Sequence, residues 1–142
     1  MSKELILKKV EQIKQLLDEL GIFLAKSHED FLKDTVVIRA SERDFQLIVE
    51  LASDINTHIL LEKGKKTPDS YKQSFTDLIA EGVLSAELAD QLSITAKLRN
   101  ILVHEYDFDE DYAKFYTVAK ESIPRYREYL KNIYQYTKEI NK

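Results

Sequence analysis

From Lys3 to about Leu24, apolar residues recur at Ile6, Val10, Ile13, Leu17, Leu20 and Leu24. Steps of three and four keep them on one side of a 3.6-residue turn, so the segment predicts a helix with a single buried face. The pattern returns. Phe45, Ile48, Ala52, Ile55 and Ile59 form a second stripe, for which the sequence predicts a helix from about Ser41, a possible N-cap, to Glu62. Gly64-Lys65-Lys66-Thr67-Pro68 closes it with glycine past the helix end and proline blocking continuation. Phe75, Leu78 and Ile79 mark a third helix, from about Ser70 to Glu81 and ended by Gly82. Ser85 is suited to cap a fourth that reaches about Val103. A last helix is expected from near Asp109 to about Glu139, kinked or interrupted at Pro124. His28 reads as the capped, exposed start of a less regular segment, with a turn at Asp34-Thr35.

Only three glycines and two prolines punctuate the 142 residues, far too few for a strand-and-turn fold. The expectation is all-α: an up-and-down bundle of four to five helices in one domain, residues 1–142. Hydrophobic residues at 44% and charged residues at 32% suit a folded globule. There is no cysteine, which rules out disulfides and thiolate metal sites and fits a reducing cytoplasm. No apolar run approaches the ~18 residues of a membrane span. Met1-Ser2-Lys3-Glu4 leads straight into the amphipathic pattern, so no signal peptide and no membrane association are expected.

A net charge of −4 speaks against a general nucleic-acid coat. The charge is uneven: residues 114–142 hold seven Lys/Arg and three Asp/Glu, a local +4, whereas residues 1–113 carry −8. Two solvated faces explain this; the alternative is a basic C-terminal helix lining a phosphate cleft. Seven of the eight tyrosines lie from Tyr106 onward. At helical spacing, Tyr112/Tyr116 and Tyr126/Tyr129 read as packing residues, though interleaved Arg125, Arg127 and Lys131 also suit a base-stacking surface.

The chemistry concentrates in Arg99-Asn100-Ile101-Leu102-Val103-His104-Glu105-Tyr106. Arginine is a permanent cation whose planar fork suits phosphate, and histidine can both take and give a proton near neutrality. Five positions on one helix turn Arg99 and His104 about 140° apart. They converge if the helix ends between them, or if the same ends of two subunits meet. Glu105, Asp107, Asp109, Glu110 and Asp111 crowd the segment with negative charge. That disfavours a polyanion, yet it suits the start of a following helix. Asp54 and His58 share a face four residues apart, but the Glu-x-x-His repeats of a bundle metal site are missing, so no metal is expected.

Leu98 to Tyr106, with arginine, a polar Asn100, three more positions, His104, any residue and Tyr106, closely resembles the signature of HEPN proteins, and of their HepT-like toxin branch. Asp54-Ile55-Asn56-Thr57-His58-Ile59 resembles that family's acidic-to-histidine helix segment. Pro68, Tyr71, Phe75, Leu78 and Gly82-Val83-Leu84 resemble its middle helix and turn. The likeness covers about Arg43 to Tyr116. It implies a homodimeric helical ribonuclease acting on RNA without metal or cofactor. It also implies a partner, a minimal nucleotidyltransferase (MntA-like) antitoxin, that can silence the toxin by transferring AMP to the tyrosine standing here at Tyr106. Arg99 and His104 are then the catalytic pair, with Asn100, Tyr106 and Asp54 in support. A non-catalytic helical module partnering a nucleotidyltransferase is the alternative.

Overall fold

The computed structural model describes residues 3–104 and 111–140. Among them are six helices: α1 (Lys3–Leu24), α2 (His28–Lys33), α3 (Thr35–Glu62), α4 (Tyr71–Ala80), α5 (Ala86–His104) and α6 (Tyr112–Glu139). The expected stripes are the buried faces. Ile6, Ile13, Leu17, Leu20 and Leu24 of α1 meet Phe45, Ile48, Ala52, Ile55 and Ile59 of α3, all at most 1% exposed. Glu19 lies beside Asp44 and Lys9 beside Asp54, so α1 and α3 run antiparallel. Tyr116 donates to the carbonyl of Lys26 at 2.7 Å, and Arg127 reaches Asp18 at 2.8 Å, so α6 is antiparallel to α1 as well. α4 and α5 pack on each other, α4 on α3, and α5 on α3 and α6.

The boundaries follow local chemistry. Ser70 Oγ accepts from the Gln73 amide at 3.0 Å and Ser85 Oγ from Leu88 at 3.1 Å, each satisfying an orphan N–H of a first turn. The second long helix starts earlier than its apolar stripe suggests. Asp34 Oδ1 caps α3 by accepting from Val37 at 3.1 Å, and Ser41 lies fully buried inside the helix rather than at its start. The same aspartate ends α2, which adds a sixth helix to the expected four or five. Gly64 (φ +74°) and Gly82 (φ +72°) adopt the left-handed conformation that closes α3 and α4. α6 runs through Pro124 without a break. The proline forfeits one amide bond, and burial of Tyr126, Tyr129, Leu130 and Ile133 beyond it outweighs that loss.

The late tyrosines divide as packing residues do. Tyr126 and Tyr129 are completely buried, with rings edge-on to Phe75 at 6.4 and 5.9 Å. Burial raises both phenols above their ordinary range and holds them neutral. Tyr129 donates to Asn56 Oδ1 at 2.6 Å; Asn56 Nδ2 and Ser53 Oγ donate to Ser74 Oγ at 3.2 and 3.0 Å; Ser74 donates to the Tyr71 carbonyl at 2.7 Å. This closed chain joins α6, α3 and the first turn of α4.

One buried carboxyl is out of balance. Asp44, on α3, is 6% exposed, and its Oδ2 has no protein partner. Burial first, then the hydrogen bond and charge of Glu19, push it up to about 7. Its folded-state value lies above its unfolded one, so its contribution to stability is complete below the ordinary carboxylate range and is lost as pH rises through about 7. Asp44→Asn is therefore expected to raise the melting temperature at pH 8 by about 3 °C. At pH 4, where the wild type carries the proton itself, the difference should vanish. Melting curves across that range test it, and a uniform loss at both pH values would contradict it.

Candidate active site

Three elements converge on an open cleft of about 370 Å³. Ser53 and Thr57, one turn apart, present the α3 wall. Pro68, Asp69, Ser70 and Tyr71 bring the loop and first turn of α4. Arg99, Asn100 and His104 come from the last turns of α5. The Ser53–Ser74–Tyr71 hydrogen bonds tie the first two walls together.

α5 does not end between Arg99 and His104; it continues to His104 itself. The two still share the cleft. Asn100 and His104 are four residues apart and so stand on one side of the helix, and the long arginine side chain reaches round from the adjacent position. His104, the last residue of α5, is exposed.

Arg99 is the most constrained group in the cleft. Its side chain is 13% exposed. Nε and Nη2 each donate to Glu50 Oε2 at 3.3 Å, Nη1 donates to Asn100 Oδ1 at 3.2 Å, and the guanidinium lies 4.4 Å from the centre of the Tyr71 ring. An acidic partner on one edge and an aromatic face below hold the fork in one orientation, which a flexible surface arginine lacks.

The expected site residues are thus partly gathered. Arg99, Asn100 and His104 line one cleft. Asp54 does not join them: its exposed carboxylate pairs with Lys9 of α1 at 3.6 Å. It follows Ser53 by one residue, and one residue is about 100° of helix, enough to turn it out of the cleft. His58 lines none of the cleft either, and among the described residues no group of three or more His, Cys, Asp or Glu gathers in metal-binding geometry. Tyr106 and the acidic residues Glu105, Asp107, Asp109 and Glu110 lie outside the described residues; Asp111 caps α6 by accepting from Lys114 at 3.0 Å. α6 contributes none of the described residues that line this cleft.

Glu50 was not legible as a site residue. Its partner lies 49 positions away, and an acidic residue on a charged helix carries no local mark. Glu50, Ser53 and Thr57 do share the spacing of one face, which becomes a signal only once α5 is known to pack there.

Known proteins share this chain's family and fold. The family model described as "Ribonuclease HepT-like" matches residues 6–133. A tRNA nuclease HepT of Aphanizomenon flos-aquae is 35% identical over 130 residues, covering 90% of this chain and 86% of that protein. An mRNA nuclease HepT of Shewanella oneidensis is 29% identical over 107 residues, 72% of this chain and 77% of the other. In fold, the chain matches a tri-AMPylated Shewanella oneidensis HEPN toxin solved in complex with an MNT antitoxin. The TM-score is 0.85 at 23% identity, covering 95% of this chain and 99% of that one. With a family match over nearly its whole length and a close relative over nine-tenths of it, this chain belongs to the HepT-like ribonuclease family.

Proposed function

We propose that this protein is a metal-independent endoribonuclease, the toxin of a toxin–antitoxin pair, neutralised by a cognate nucleotidyltransferase. The observation that carries the reading is the presence of Arg99, Asn100 and His104 in one cleft, with the arginine held in place. RNA contains its own nucleophile. When the 2′-oxygen attacks the adjacent phosphorus, a P–O bond forms, the bond to the 5′-oxygen breaks, and the products are a 2′,3′-cyclic phosphate and a 5′-hydroxyl. The enzyme must accept the 2′ proton, donate one to the leaving oxygen and stabilise charge on the phosphate. In this reading His104 transfers the protons and Arg99 stabilises the charge, while Asn100 orients the phosphate or the imidazole.

The described cleft is lined by one histidine, whereas the reaction moves two protons. A homodimer in which two such α5 ends face one another supplies a second His104, and this supports a dimer acting as one catalytic unit. Tyr106, two residues beyond His104 in the sequence, is the acceptor for silencing in this reading: an AMP adduct there adds bulk and negative charge, which oppose a phosphate backbone. One relative is named for tRNA and the other for mRNA, so the substrate class is RNA as such.

The test is cleavage of total RNA by purified protein in EDTA, with intact mass confirming that Tyr106 is unmodified. Cleavage with cyclic-phosphate ends is expected. Intact RNA after treatment with unmodified, folded dimer would instead favour a non-catalytic module partnering a nucleotidyltransferase.

A further inference from the structure

We infer that Glu50 is a positioning residue that sets the orientation in which Arg99 meets the scissile phosphate, an inference that rests on the ribonuclease reading. The guanidinium has five N–H donors in a rigid plane. Glu50 Oε2 takes the Nε donor and one Nη2 donor at 3.3 Å each, and Asn100 Oδ1 takes one from Nη1 at 3.2 Å. That leaves one N–H on each terminal nitrogen to meet phosphate oxygens. Tyr71, 4.4 Å below, prevents the plane from tipping on that side, and the Ser74 hydroxyl anchors the Tyr71 backbone. Arg99 therefore arrives already oriented, and a phosphate need not organise it at the moment of reaction.

Glu50 also opposes substrate binding, since its carboxylate lies one guanidinium away from the phosphate position. A group that orients the catalytic cation while repelling the ground-state anion raises both kcat and KM. This signature separates positioning from a structural role. A fold defect lowers the active fraction, which lowers kcat and leaves KM alone. Loss of a positioning anion lowers kcat and tightens binding.

The experiment compares wild type, Glu50→Gln, Glu50→Asp and Glu50→Ala. Steady-state kinetics are read on a short RNA, and affinity is read by anisotropy on the same RNA with 2′-O-methyl groups, which bars cleavage. Glu50→Gln should lose about 10- to 100-fold in kcat and bind the methylated RNA about 3-fold more tightly. Glu50→Asp should recover part of kcat. Unchanged kcat in Glu50→Gln, or weaker binding, overturns the inference. If wild type cleaves no RNA, the ribonuclease reading fails separately, and the 15N signal of the Arg99 Nε–H decides the clamp. A protected signal that is lost in Glu50→Ala upholds it, and a signal indifferent to that change overturns it.

Discussion

His104→Ala, in a protein that stays folded, is expected to slow RNA cleavage by about 10²–10⁴-fold, with a melting temperature close to that of wild type. The two expectations belong together. His104 is the terminal residue of α5 and is exposed, so among the described residues its ring is not part of the buried core. Its loss reads as chemistry alone. Arg99→Ala should cost about 10²–10³-fold, but by a less clean route. Arg99 is 13% exposed and neutralises Glu50, so its removal leaves a half-buried carboxylate unpaired and lowers stability too. Arg99→Lys is the sharper variant: it keeps the charge and loses the planar fork, and if bidentate phosphate contact is the role, it should remain strongly impaired. The double variant should be little worse than the worse single one, because both residues serve one step. Cleavage assays with matched thermal melts read all four. Near-normal cleavage by folded His104→Ala would remove the histidine from the mechanism.

The largest loss of stability is expected at Phe75. Its side chain is fully buried and meets the rings of Tyr126 and Tyr129 edge-on, where α4 joins α6. Phe75→Ala removes a ring's worth of apolar burial and leaves a cavity bounded by two tyrosines. Their hydroxyls are committed, Tyr126 to Thr95 at 2.7 Å and Tyr129 to Asn56, so they cannot shift to fill it. The cost should be about 3–5 kcal/mol, a large share of the ~5–15 kcal/mol that holds a domain together. The melting temperature should fall by about 10 °C. Urea denaturation gives the number, with Ile22→Ala as control: Ile22 is 73% exposed and its loss should change little. Phe75 adjoins Ser74, so the same variant should loosen the Tyr71 wall and reduce cleavage more than its stability loss alone explains. Equal stability of the two variants would mean that this junction is not a core.

What could be read from the chain alone, and what could not, divides by distance along the backbone. The helices were legible because helix formation is local: a buried face repeats every three to four residues, as from Ile6 to Leu24, and Ser70 and Ser85 cap within three residues of themselves. Boundaries failed where local signals compete. Ser41 has a cap's chemistry, but Asp34 lies nearer the true start, and the packing of α3 carried Ser41 into the interior. Pro124 lies inside α6, as the sequence predicts, and does not interrupt it. Arg99, Asn100 and His104 were legible for the same reason as the helices, since they fall within six consecutive positions. Asp54 looked like their companion from its segment, but one residue of helix rotation separates the cleft from the face toward α1, and only the packed bundle shows which side Asp54 takes. Glu50 and Tyr71, which fix the orientation of Arg99, and the Tyr129–Asn56–Ser74 chain join residues 18 to 73 positions apart. The sequence by itself determined the five longer helices, the apolar stripes of α1, α3 and α4, and the family. The tertiary structure alone decided which polar groups meet across those faces, because a polar side chain's partner is set by how helices rotate and slide against each other, and no local periodicity encodes that.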